Sequence, residues 1–187
     1  ECSVAAPAAR GRKKKAEKIG WQKTVVLYMH DLVYMLVTIM ILFLLVFRVI
    51  VVSGSSMYNT LIDGDYLLLL SNLFYQDPEY GDIIVASKES FDDGAPIIKR
   101  VIALPGQEIK IDVNEGEVYV DGEPLRENYI NERTMTNDGA FIYPITVPKG
   151  YVFVMGDNRN NSTDSRSASV GLVAIEDILG KAYFRYY

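Results

Sequence analysis

Residues 32–47 read LVYMLVTIMILFLLVF, sixteen consecutive positions with no charge, no glycine and no proline. A helix that crosses a hydrocarbon core of about 30 Å needs about 20 apolar residues. The run attains that length by extending back through 25–29, with His30 and Asp31 as a polar interruption, or forward past Arg48 through 49–52. Its flanks differ in charge. Residues 1–23 hold seven basic side chains (Arg10, Arg12, Lys13, Lys14, Lys15, Lys18 and Lys23) against Glu1 and Glu17, a net +5. The formal charge of the whole chain is −5, so everything beyond this tail sums to −10. Because the Lys- and Arg-rich side of a span stays in the cytoplasm, the pattern predicts a basic cytoplasmic tail over 1–23, a transmembrane anchor over 24–48 and an extracytoplasmic domain over 49–187. Ser53, Gly54 and Ser55 follow the run as small residues do at a signal cleavage site. The apolar region of a cleaved signal, however, spans about 7–15 residues, and this run exceeds that before any extension. It reads as an uncleaved, single-pass anchor. Position 1 is Glu and not Met, so part of the tail is expected to be vector-derived.

Composition removes several classes of function. With 49% hydrophobic residues the chain is too apolar for intrinsic disorder. One cysteine, Cys2, allows no internal disulfide and no cysteine-rich zinc site, and one histidine, His30, leaves little for a histidine metal centre. The acidic balance argues against nucleic acid as a partner, since that needs a basic field. The 139 residues from 49 onward suffice to bury a core without disulfides.

From residue 49 the pattern becomes short apolar runs broken by turn residues, the mark of a mostly β domain. Strands are predicted at 49–53, 66–70, 82–87, 97–104, 108–113, 117–121, 151–155 and 179–186. Asp63-Gly64, Pro105-Gly106 and Asp121-Gly122 are tight-turn dipeptides, and EVYVDGEPL at 117–125 reads as a hairpin. Short helical stretches are predicted after Ser56 and at 174–178.

Neither histidine nor cysteine occurs within 49–187, which rules out a Ser-His-Asp triad there. A hydrolase would need a lysine, paired carboxylates or an oxygen-held metal. Three segments stand out: SGSSM at 53–57, IIKRVIALPGQ at 97–107 and GDNRNNSTDSR at 156–166. In the second, Lys99 and Arg100 are neighbours in an apolar strand, so their side chains point to opposite faces. With one face buried, one of the two is expected inward. Burial disfavours the charged form of a lysine; lowered from about 10.4 towards about 7–8, its amine becomes a general base. A snorkelling surface lysine is the plainer reading for Lys99 taken alone. The carboxylates in 157–164 lack the Asp-x-Asp-x-Asp-Gly spacing of a calcium loop, which favours ion pairing over metal binding.

Taken together, these segments resemble the bacterial type I signal peptidases, membrane-anchored serine proteases with a Ser-Lys dyad. Three motifs stand in the family's order: G-x-S-M-x-x-T-L with Gly54, Ser56, Met57, Thr60 and Leu61; K-R-V-x-x-L-P-G with Lys99, Arg100, Val101, Leu104, Pro105 and Gly106; and G-D-N-R-x-x-S-x-D-S-R from Gly156 to Arg166. GDIIV at 81–85 is a weaker fourth match. The resemblance covers nearly the whole chain from the anchor onward. It implies a signal-peptidase-like antiparallel β-sheet catalytic domain behind one transmembrane helix, with 107–150 as an accessory β insertion. It further implies Ser56 as nucleophile, Lys99 as the base that takes the hydroxyl proton and returns one to the leaving amine, Ser162 as the hydroxyl that orients the lysine amine, and the Ser56 backbone N–H as oxyanion donor. Arg100, Asp157, Asp164 and Arg166 are expected to form structural ion pairs that hold the loop against the lysine strand. The chain departs from the family pattern at four places. Gly54 stands where some members place a serine that adds an oxyanion donor, Asn59 where Pro is usual, and Asn160 where many have Asp. The stretch SRSASVGLV, 165–173, is longer and lacks an aromatic after the arginine.

The resemblance implies cleavage of exported preproteins after small residues, in the Ala-x-Ala pattern, at the bacterial cell membrane and without metal or cofactor. Ser56 lies nine residues beyond Phe47, and at about 3.3 Å per residue the chain reaches about 30 Å at most, so the site is expected near the lipid bilayer, where an inserted signal peptide emerges. An extended substrate is expected to add as a strand, with Met57 and Ile97 as pocket walls. The alternative is a non-catalytic, membrane-tethered β domain that binds peptides or export partners. It would be marked by loss of Ser56 or Lys99, and both are present. A self-cleaving Ser-Lys peptidase of the SOS-repressor kind would carry a DNA-binding domain where this chain carries an anchor.

Overall fold

The structure, a computed structural model, describes residues 9–88 and 94–186, with side chains from residue 20 onward. The first eight residues of the basic tail, Cys2 among them, lie outside the described residues. The chain divides after Leu45 into two compact units.

The first unit is helix α1, Ala9–Val46. Its stretch Gly20–Val46, 27 residues with a mean hydropathy of 2.2, is long and apolar enough to cross a membrane; at 1.5 Å per residue it measures roughly 40 Å. The helix starts well before residue 24 because Ala, Lys, Arg and Glu dominate 9–19, all good helix formers. It also stops at Val46, short of residue 48, where RVIVV brings β-branched residues that favour an extended chain. The two threonines in the apolar stretch satisfy their hydroxyls within the helix: Thr24 donates to Gly20 O at 3.0 Å and Thr38 to Tyr34 O at 2.8 Å.

The second unit is mostly β. A seven-stranded sheet runs β1 (Phe47–Val51), β2 (Tyr66–Ser71), β11 (Ile178–Tyr186), β3 (Ile83–Ser87), β4 (Pro96–Ala103), β9 (Tyr151–Met155) and β10 (Val173–Ala174) in spatial order. A four-stranded sheet runs β7 (Glu123–Pro124), β6 (Glu117–Val120), β5 (Glu108–Asp112) and β8 (Ile145–Thr146). Every pairing is antiparallel. The hairpin read at 117–125 forms, with Val120 opposite Glu123. Its Asp121 and Gly122 both have positive φ, 53° and 83°, as a two-residue turn of this hand requires.

Two of the sequence expectations fail locally. The stretch after Ser56 is a succession of turns and not a helix, because Asn59 takes φ 31° and breaks the right-handed run. At 174–178 there is only a single 3-10 turn, Ile175–Asp177. Strands β8 and β10 were not anticipated, since two residues make no readable run.

Strands β4 and β9 organise the core. One of their faces contributes Ile97, Val101, Val152 and Val154 to a cluster with Ile84 and Ile178. The opposite face contributes Ile102, Phe153 and Met155 to a second cluster with Ile109, Ile111, Val118 and Val120 of the smaller sheet. Because the strand is covered on both faces, Lys99 and Arg100 are both buried, at 5% and 9% exposure. The expectation of one inward side chain assumed a strand with a solvent face.

Candidate active site

The segment from Val52 to Asp65 folds back on itself through Val52 N–H to Asp65 O at 2.8 Å and Gly64 N–H to Val52 O at 2.9 Å. Met57 and Leu61, joined by a Leu61 N–H to Met57 O bond of 2.9 Å, sink into a third apolar cluster with Val52, Leu67, Leu69 and Val85. Ser56, immediately before Met57, is thereby held at the rim of a packed core. Its carbonyl accepts the Asn158 N–H at 3.0 Å. Its own N–H donates to no group among the described residues, so it is available as an oxyanion donor.

From β4, Lys99 brings its Nζ to 2.8 Å from Ser56 Oγ and 3.0 Å from Ile98 O. Burial lowers the Lys99 ammonium to about 8; the Asp164 carboxylate opposes that shift, Arg166 adds to it and Asp157 opposes it. Both side chains line a groove of about 540 Å³ bounded by residues 50–57 on one side and 95–99 on the other, with 161–163 at its end. Ile97 forms part of the wall. Met57 borders the groove but is only 2% exposed, and its bulk belongs to the core. Ser162 Oγ is buried and has no hydrogen-bond partner among the described residues, so the Lys99 amine is held here by Ser56 and Ile98. The bond expected from Ser162 is not formed.

The loop that carries Ser162 is fixed by buried charge. Arg100 grips Asp157 with two bonds of 2.8 and 2.6 Å and donates to Gly81 O at 2.7 Å. Arg166 pairs with Asp164, which also accepts the Gly156 N–H at 2.9 Å. Asp157 and Asp164 are both fully buried. Removing one partner from such a pair costs about 3–5 kcal/mol, because the other charge is stranded. The pairing thus links strand β4, which carries Lys99, to the loop that touches Ser56.

The family model for signal peptidase, peptidase S26, matches residues 25–187. The chain belongs to this family. It is 43% identical to a probable signal peptidase I-1 of Synechocystis sp. over 73% of this chain and 69% of the relative. To signal peptidase I T of Bacillus subtilis it is 32% identical, over 94% of this chain and 89% of the relative. A crystal structure of a signal peptidase I from Enterococcus faecalis is 30% identical, covering 57% of this chain and 97% of that one, with a TM-score of 0.47. As a peptidase S26 member the chain is a serine peptidase, anchored to the membrane through its N-terminal helix.

Within the signal peptidase family, the departures of this chain acquire local reasons. Gly54 has φ 89° and its N–H donates to Asp63 Oδ1 at 2.8 Å, so position 54 has no donor left for an oxyanion. A proline, locked near φ −65°, does not fit the left-handed turn at Asn59; asparagine tolerates it. Asn160 uses both ends of its amide, accepting the Met135 N–H at 2.9 Å and donating to Glu132 at 3.0 Å and to Arg133 O at 3.1 Å.

Some residues of the site escaped the sequence reading. Thr60 donates its hydroxyl to Asp157. Tyr129 lies under the Arg100 guanidinium, 4.0 Å from ring centroid to Cζ. Glu127 pairs with Arg159. Thr60 and Arg159 lie inside the motifs and were legible by position; Glu127 and Tyr129 carry no motif. Gly156 is packed so closely that a Cβ there would fall 2.5 Å from Ser56 O and 2.6 Å from Ser162 Cβ.

Proposed function

We propose that Ser56 and Lys99 are the nucleophile and general base with which this chain removes signal peptides from preproteins. The observation that carries the reading is the 2.8 Å approach of a buried lysine amine to a serine hydroxyl in the wall of an open groove. With the amine neutral, the Ser56 Oγ–H proton passes to Lys99 Nζ as Oγ attacks the scissile carbonyl. The oxyanion that forms is aimed at the Ser56 N–H. The Lys99 ammonium then protonates the leaving amine, which departs as the mature N-terminus. The amine, neutral again, takes a proton from the water that attacks the acyl-enzyme and returns it to Ser56 Oγ as the acyl C–O bond breaks.

An extended peptide entering the groove runs between β1, an edge strand, and the 96–98 stretch of β4, which pairs only with β3, and this suits strand addition. A groove walled by Ile97 and Ile98 suits small residues before the scissile bond. In this reading the tail is cytoplasmic and the β unit lies on the outer side of a bacterial membrane, which the basic flank of the apolar helix supports. Ser56→Ala is expected to lower cleavage of a purified preprotein at least about a thousandfold. If this variant cleaves at more than a tenth of the wild-type rate, another residue is the nucleophile and the groove is a peptide-binding site.

A further inference from the structure

The 107–150 insertion carries the four strands of the smaller sheet, and its 127–136 segment is bonded to the polar loop 156–166. The Glu127 carboxylate receives Nη1 and Nη2 of Arg159 at 2.6 and 2.5 Å. Thr134 accepts from the same guanidinium at 3.2 Å, and Asn160 bonds Met135 N–H, Glu132 and Arg133 O. On its other side the loop holds the nucleophile turn: Asn158 N–H on Ser56 O, Asn158 Nδ2 on Ser55 O and Asn161 Nδ2 on Ser55 Oγ, each at 3.0 Å. The loop is thus a strip bonded to the insertion along one edge and to Ser56 along the other.

We infer that Glu127 and Asn160 are positioning residues, which act through this loop to hold Ser56 opposite Lys99; the inference rests on the dyad assigned above. Neither residue lines the groove. The Arg159 side chain is fully buried and that of Glu127 is 6% exposed, so without the carboxylate a desolvated cation loses its partner and must move, taking the loop with it. At position 160 neutrality matters. The Asn160 amide donates to a Glu132 oxygen 3.0 Å away, and a carboxylate in its place sets two like charges at that distance. The asparagine that departs from the family pattern is therefore matched to an acidic residue of this chain's own insertion.

The test is steady-state cleavage of a signal-peptide substrate by the full-length chain in detergent, below the melting temperature of every variant, across pH 6–10. Glu127→Gln and Asn160→Asp are expected to lower kcat about ten- to a hundredfold with KM within about twofold. In both, the acid limb of the profile should move upward as Lys99 regains solvent. Asn160→Asp combined with Glu132→Gln should recover part of the lost kcat and move the limb back toward its original position, because the introduced amide donates to the introduced carboxylate while the bond to Arg133 O stays lost. Glu123→Gln, exposed in the same insertion, serves as the unaffected control. If Glu127→Gln and Asn160→Asp keep wild-type kcat and pH profile and lose only thermal stability, the insertion is a structural brace and the inference fails. It fails equally if the double variant does not recover. Ser56→Ala measured alongside separates the two readings: it stays inactive if only the positioning role is wrong, and retains activity if the dyad is wrong.

Discussion

Lys99→Met is expected to abolish signal-peptide cleavage while leaving the β unit at least as stable as the parent. Lys99 is 5% exposed and burial already works against its charge. An unbranched apolar side chain of similar length fills the same space without a desolvation cost. Among the described residues no other titratable side chain lies within hydrogen-bond reach of Ser56 Oγ, so the hydroxyl has nowhere to send its proton, and removal of a general base costs about a hundred- to ten-thousandfold or more. Lys99→Arg is expected to be equally inactive, because a guanidinium stays protonated at any usable pH. Cleavage assays together with thermal melts of the three proteins check both halves of the expectation. Activity in either variant, or a fall in Tm of Lys99→Met to match its loss of activity, would show that the lysine serves the fold and not the reaction.

The second large effect is expected from the smallest change, Gly156→Ala. The added methyl would fall 2.5 Å from Ser56 O and 2.6 Å from Ser162 Cβ, closer than a Cβ can approach either. Gly156 is pinned by its N–H to Asp164 and by Arg159 Nε on its carbonyl, so relief must come from moving the Ser56 turn or the Ser162 segment. A displacement of about 1 Å at a reacting atom costs on the order of a hundredfold, while overpacking of this size costs about 1–3 kcal/mol of stability. The protein is thus expected to fold and to lose cleavage by about a hundredfold or more. A folded Gly156→Ala with near wild-type kcat would mean that the approach of the two segments is not needed for the chemistry.

The glycine shows where reading the chain alone runs out. Its φ is not left-handed, so no turn signal marks it, and its constraint comes from Ser56 and Ser162, which only the folded chain brings beside it. Residues whose roles follow from their own neighbourhood were legible: the apolar run that becomes the C-terminal part of helix α1, the Asp121-Gly122 hairpin, and a lysine in an otherwise apolar strand. What depends on which strand covers which was not. Arg100 is buried beside Lys99 because β4 is covered on both faces, by the cluster of Ile84 and Ile178 on one and by the smaller sheet on the other. The partition of Arg100 to Asp157 and Arg166 to Asp164 follows from loop closure. Glu127 reaches Arg159 across 32 residues without any local pattern to announce it. The helix overran its expected start because helix formers need no apolar face to continue a helix already begun.

The most direct test of the central claim, that a buried Lys99 amine activates Ser56, is the pH dependence of kcat/KM for the wild-type chain on a signal-peptide substrate. This ratio reports the free enzyme, and only the neutral amine accepts the Ser56 proton. With Lys99 brought down to about 8 by burial, log kcat/KM is expected to climb by about one per pH unit below that value and to level off above it. A profile flat between pH 6 and 9, or one whose acid limb lies near pH 10 as for an exposed lysine, would contradict it.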